Sequence, residues 1–73
     1  MKKSLKELRE ERGLTLDYMA ERLNYSSRSG YAALEANDPG KIPVRKLLEI
    51  ADAFGMEFAE LSAFLFDHEV QEL

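Results

Sequence analysis

Cysteine is absent from the 73-residue chain, so neither a disulfide framework nor a thiolate metal site is open to it, and its stability has to come from packing. Long apolar runs are absent too. None approaches the roughly 20 residues that span a bilayer, and the opening MKKSLKELREERG places charges where a signal peptide needs its apolar stretch. The expectation is a soluble, cytoplasmic protein with no membrane partner. Histidine occurs once, no glycine-rich phosphate loop is present, and no two carboxylates converge on an obvious cleft, which leaves catalysis little to work with. No cofactor is expected. Asp67-His68-Glu69 carries ligand types, but adjacent residues on a helix point in different directions, so the triplet reads as surface and no metal is expected. Positive charge is in deficit: 10 Lys and Arg against 14 Asp and Glu leave a net charge of −4, which argues against an indiscriminate nucleic-acid coat. Its distribution is uneven. Lys2, Lys3, Lys6, Arg9 and Arg12 precede position 13, whereas the segment from Glu57 onward holds five acids and no Lys or Arg.

What is present is helical periodicity, with no alternating strand pattern and no internal repeat. At 73 residues there is room for one domain with a modest core; that core is expected over about residues 4–62, with 63–73 as a C-terminal helix or tail. Ser4-Leu5-Lys6-Glu7 is a capping-box pattern that starts a first helix over about 5–12, with Leu5 and Leu8 on one face and Gly13 as a left-handed stop. Thr15 caps a second helix whose inner face is Leu16, Met19, Ala20 and Leu23, with Asp17 in the first turn where the helix dipole favours an acid. After Asn24 and Tyr25, a third helix starts from a Ser26 or Ser27 cap, with Tyr31 and Leu34 inward and Glu35 near its end. Asn37-Asp38-Pro39-Gly40 is a loop. Pro43 suits the first turn of a fourth helix with a wide stripe of Val44, Leu47, Leu48, Ile50, Ala51 and Phe54, stopped by Gly55. A fifth runs from about Glu57 with Phe58, Leu61 and Leu65 on one face.

Five short helices, the second and third joined by the tight turn Asn24-Tyr25-Ser26-Ser27, resemble the XRE-like helix-turn-helix domain of the Cro and phage-repressor superfamily. The anchors are LKELREERGLT at 5–15, MAERL at 19–23, SRSGYAALE at 27–35 and LLEIADAFGM at 47–56, and the resemblance covers about residues 5–61. It implies an all-α fold, a compact five-helix bundle of the phage-repressor-like type. It also implies an ion pair of Arg9 with Glu35, a structural pair because a buried carboxylate needs a partner. By the same resemblance the start of the second helix, at Thr15, faces a phosphate, and Ser26, Ser27, Arg28, Ser29, Gly30, Ala32 and Ala33 face the major groove of double-stranded DNA. Arg28 alone has long reach and forks well onto a guanine edge; Ser27 and Ser29 donate or accept at almost any base or phosphate, and Ala32 or Ala33 suits a thymine methyl. Three features depart from the family pattern: a turn one residue longer than the commonest form, Leu16 where a glutamine often stands, and Tyr31 in place of isoleucine or valine.

Asn37 and Lys41 in the loop, and Arg45 and Lys46 at the start of the fourth helix, are candidate auxiliary phosphate contacts, since cations at a helix start oppose its dipole unless an anion is near. Gly30 costs about 0.5–1 kcal/mol relative to alanine inside a helix, so a close approach by DNA, by a protein or by Tyr31 has to justify it. Beyond the core face of the fifth helix lie Phe64, Phe66, Val70 and Leu73, more apolar surface than a small monomer exposes, and a homodimer seam is the simplest use for them, the alternatives being a tail folded back over its own core or a different protein partner. Such a dimer would present its two reading helices to inverted-repeat half-sites about 34 Å apart. The expected function is a small DNA-binding repressor, with a protein-interaction module, such as an antitoxin or inhibitor, as the alternative that the short side chains of the third helix and the acidic charge favour.

Overall fold

The structure is a computed structural model that describes residues 3–66. Five α-helices follow one another: α1 (Leu5–Glu11), α2 (Leu16–Arg22), α3 (Arg28–Ala36), α4 (Val44–Phe54) and α5 (Phe58–Phe66), with a single 3-10 turn at Pro39–Lys41 inside the loop between α3 and α4. No strand occurs among the described residues. No helix among them is long and apolar enough to cross a membrane.

The helix ends are set by local chemistry. At the start of α1, Glu7 N–H donates to Ser4 Oγ at 3.1 Å while Ser4 N–H donates back to Glu7 Oε1 at 3.1 Å, closing the capping box. Thr15 Oγ1 accepts from Tyr18 N–H at 3.0 Å and starts α2. Three helices end on a left-handed residue: Gly13 (φ +68°) after α1, Asn24 (φ +63°) after α2 and Gly55 (φ +71°) after α4. In each case the next residue's N–H reaches back into the helix, Leu14 to Arg9 O (3.1 Å), Tyr25 to Ala20 O (2.8 Å) and Met56 to Ala51 O (3.0 Å). This closure satisfies carbonyls that the helix end would otherwise orphan, and asparagine is the non-glycine residue that best tolerates the position.

The core gathers Leu5 and Leu8 from α1, Met19 and Ala20 from α2 with Leu23 beyond it, Tyr31 from α3, Leu47, Ile50, Ala51, Ala53 and Phe54 from α4, and Leu61 and Leu65 from α5. Ile42, in the loop before α4, is buried as well. Polar ties join the helices around this core: Arg12 Nε donates to Phe54 O at 2.9 Å, Arg22 and Asp52 pair at 2.8 Å, and Lys3 N–H donates to Phe64 O at 2.8 Å.

The stripe expected on α4 is wider than the surface its neighbours cover. Val44 and Leu48 are 61% and 49% exposed, because the buried face centres on Leu47, Ile50 and Phe54 and leaves those two on its flank. Smaller differences lie at helix ends: α1 stops at Glu11 with Arg12 as its cap, Pro43 precedes α4 as the cap residue rather than sitting in its first turn, and α5 starts at Phe58.

Candidate nucleic-acid interface

The α2–turn–α3 unit is built around two tyrosines. Tyr25, in the turn, packs edge-on against Tyr31 of α3, with centroids 6.3 Å apart and an interplanar angle of 65°. A methyl group added at Gly30 would meet the Tyr25 ring at 3.0 Å. Gly30 thus faces an aromatic ring from the turn, while Tyr31 beside it is buried in the core. Tyr25 also carries Lys46 of α4 over its ring, with Nζ 5.2 Å from the ring centroid. The turn, α3 and the start of α4 are thus locked together by one side chain that the sequence reading assigned no role.

An ion pair ties α1 to the end of α3. Arg9 Nε donates to Glu35 Oε2 at 3.0 Å, Nη2 donates to Oε1 at 3.2 Å, and Nη1 donates to Leu14 O at 2.9 Å, with the two side chains only 9% and 7% exposed. The hydrogen bond to Glu35 raises the Arg9 pKa further above its ordinary value, against the opposing effect of burial. Tyr31 shares the neighbourhood. Its hydroxyl is buried without a hydrogen bond of acceptable geometry among the described residues, and desolvation first, then the Glu35 charge, pushes its pKa well above the ordinary 10.

Around this frame the other candidate residues take their places. Ser26, Ser27, Arg28, Ser29 and Ala33 are exposed, and Gly30 and Ala32 are half-buried. Ser27 is the cap residue of α3 by backbone conformation, yet its hydroxyl makes no capping bond, so it is open to an external partner. Thr15 is exposed with its oxygen already accepting from Tyr18, which leaves its hydroxyl proton to donate. Leu16 lines a groove of about 250 Å³ with Lys6, Arg9, Ala32, Glu35 and Ala36, so the start of α2 and the middle of α3 share one surface. Asn37, Lys41 and Arg45 are exposed, and neither Lys41 nor Arg45 has an ion pair among the described residues. Lys46 is more committed, 3.4 Å from Glu49 besides its position over Tyr25.

Arg28 and Asp17 form a pair that sequence spacing does not announce. Arg28 Nε lies 3.3 Å from Asp17 Oδ1, across the turn from the first residue of α3 to the second of α2. They lie eleven positions apart in the chain, so only the docking of α2 against α3 brings them together.

The proposed seam residues divide. Phe64 is half-buried against the core, with Lys3 Nζ 5.2 Å from its ring centroid, whereas Phe66 is 41% exposed. Val70 and Leu73, like Lys2 and the Asp67-His68-Glu69 triplet, lie outside the described residues. Among the described residues no group of three or more metal-ligand types is assembled.

No curated protein and no solved structure matches the chain. A family model described as Helix-turn-helix matches residues 5–61, well over half of the 73-residue chain. With α2, its turn and α3 in the arrangement described, the protein belongs to the helix-turn-helix family of the XRE, phage-repressor type, a family of DNA-binding regulators.

Proposed function

We propose that the protein is a sequence-specific repressor that binds an inverted-repeat operator as a homodimer, in the cytoplasm, and controls its own promoter or neighbouring genes. In this reading α3 enters the major groove while the start of α2 crosses the backbone, so that Thr15 donates to a phosphate and the hydroxyls at 26, 27 and 29 position the helix. The observation that carries it is the exposed start of α3, where Ser27 keeps its hydroxyl uncommitted and Arg28 is the helix's one long cationic side chain. Small residues at 32 and 33 let the backbone come close to the groove floor, where shape and thymine methyls are legible without long side chains; Gly30, whose bare side faces the Tyr25 ring, serves the packing of the turn instead. Asn37, Lys41 and Arg45 supply further phosphate contacts; Lys46 contributes less, being shared with Tyr25 and Glu49. No catalytic step and no cofactor belong to this reading.

Selection of retained sequences from a pool of random duplexes tests it. Enrichment of an inverted repeat with half-sites about one helical turn apart supports the dimeric reader. No enriched motif at low salt removes sequence reading and favours a second function, a protein-interaction module of the antitoxin or inhibitor kind, for which the exposed Val44 and Leu48 speak. Salt separates the two readings. Binding to phosphate weakens with a slope of about −0.9 per contact in log K against log salt, whereas an apolar protein interface responds little.

A further inference from the structure

We propose that Asp17 is a positioning residue for base readout: its carboxylate holds the Arg28 guanidinium at Nε and leaves both Nη groups to fork onto a guanine edge. The inference rests on the reading above, in which α3 lies in the major groove. Its basis is the 3.3 Å approach of Arg28 Nε to Asp17 Oδ1, from side chains 65% and 68% exposed. An ion pair that open to water contributes little to folding, and the dipole of α2, which favours an acid in its first turn, does not account for the acid's place beside Arg28. The pair's geometry supplies a reason for it. Arginine carries several rotatable bonds, and an unrestrained side chain loses that freedom when it settles on a base. Pairing at Nε removes part of the loss in advance, and Nε is the nitrogen of the guanidinium that lies nearest the carboxylate. The anchor itself is well held: α2 and α3 share Met19, Ala20, Leu23 and Tyr31 in the core, and the turn between them is braced by Tyr25.

DNA changes the strength of this pair. As the helix enters the groove, water leaves and the attraction between carboxylate and guanidinium grows. The same carboxylate repels phosphates and any base edge that presents only acceptors without Arg28 satisfied between them. Asp17 therefore lowers affinity for random sequence while raising the preference for guanine at one position. It also cancels the one positive charge on α3, in keeping with a chain of net charge −4 that does not bind nucleic acid through bulk charge.

The test compares the full chain with Arg28→Ala, Asp17→Ala and Asp17→Asn in the same random-duplex selection, together with titrations onto a duplex of scrambled sequence. Arg28→Ala identifies the position where guanine preference is lost, by about 5- to 100-fold for a forked contact. At that position, and at no other, Asp17→Ala is expected to lower the preference at least about threefold, with Asp17→Asn intermediate because it keeps an acceptor but no charge. Affinity for the scrambled duplex is expected to rise in both Asp17 variants. Guanine preference unchanged in Asp17→Ala overturns the proposal, as does a uniform loss across all positions with a lowered melting temperature, which marks an ordinary structural role. If Arg28→Ala loses no position, Arg28 is not a reader and the proposal falls while DNA reading by other residues stands. If the unaltered protein enriches nothing, both the proposal and the operator-binding reading fail together.

Discussion

Gly30 illustrates how one residue's meaning depends on its neighbour. Alanine at this position would gain about 0.5–1 kcal/mol of helix propensity, but its methyl would meet the Tyr25 ring at 3.0 Å. The ring is limited in how far it yields, because Tyr31 packs edge-on against it and Lys46 lies over it. Gly30→Ala is therefore expected to lower the melting temperature, by a net of about 1 kcal/mol of overpacking, and to become neutral or stabilising once Tyr25→Ala has cleared the space. Thermal unfolding of the two single variants and the double variant measures this coupling. Tyr31 sets a second expectation at the residue scale. Its folded-state pKa is raised above the unfolded value near 10, so its contribution is fully present below that pH, and stability is lost as pH rises beyond it, when only the unfolded chain releases the proton. Melting curves between about pH 9 and 11 are expected to show a shallower fall for Tyr31→Phe than for the unaltered protein. At neutral pH that substitution is expected to be neutral or mildly stabilising, since it removes a buried hydroxyl without a good partner.

Helices here are held by short-range signals and joined by a few long-range ones. The caps at Ser4 and Thr15 and the left-handed stops at Gly13, Asn24 and Gly55 act over three to five residues; the two caps and the two glycine stops were legible from residue type, whereas for Asn24 only the end of the helix was, not its left-handed backbone. Between helices, the Arg9 fork on Glu35 ties α1 to the end of α3 and fixes Leu14 through its third hydrogen bond. Removing one partner of such a pair leaves a buried charge alone, so Arg9→Ala is expected to cost about 3–5 kcal/mol. The double substitution Arg9→Met with Glu35→Leu is expected to recover most of that loss, as apolar replacements of buried pairs often do. Denaturant titrations of both variants decide it: equal instability would mean that the pair's role is not mainly to compensate charge. The pattern of residues 9 and 35 was open to a sequence reading only through family resemblance, because nothing local marks two side chains 26 positions apart as partners.

As a whole molecule the protein has more apolar surface than its own core consumes. Val44 and Leu48 on the flank of α4 and Phe66 at the end of α5 are, with Tyr18 of α2, the exposed large hydrophobic side chains among the described residues. Two seams for self-association follow, and they make different predictions. Phe66→Asp is expected to halve the solution mass if the dimer closes through the end of α5, and Leu48→Glu to do so if it closes through α4; the molecular mass of each variant by light scattering distinguishes them. Phe64 is a weaker candidate for a seam than its spacing suggested, because Lys3 and the core already cover much of it.

The number of helices, their caps and stops, and most of the core came from chemistry that acts within one or two turns of chain, which is why residue order alone carried them. The family resemblance rested on the same regularities. Partnerships across α2 and α3 did not: Asp17 reads as a dipole-compensating acid until the interhelical angle sets it beside Arg28, and Tyr25 reads as a turn residue until it is found against Gly30 and under Lys46. The exposure of Leu48 belongs with these. A stripe of apolar residues states which side chains are able to enter a core, but how much of that stripe is covered depends on where the neighbouring helices lie, and that is settled only when all five pack together.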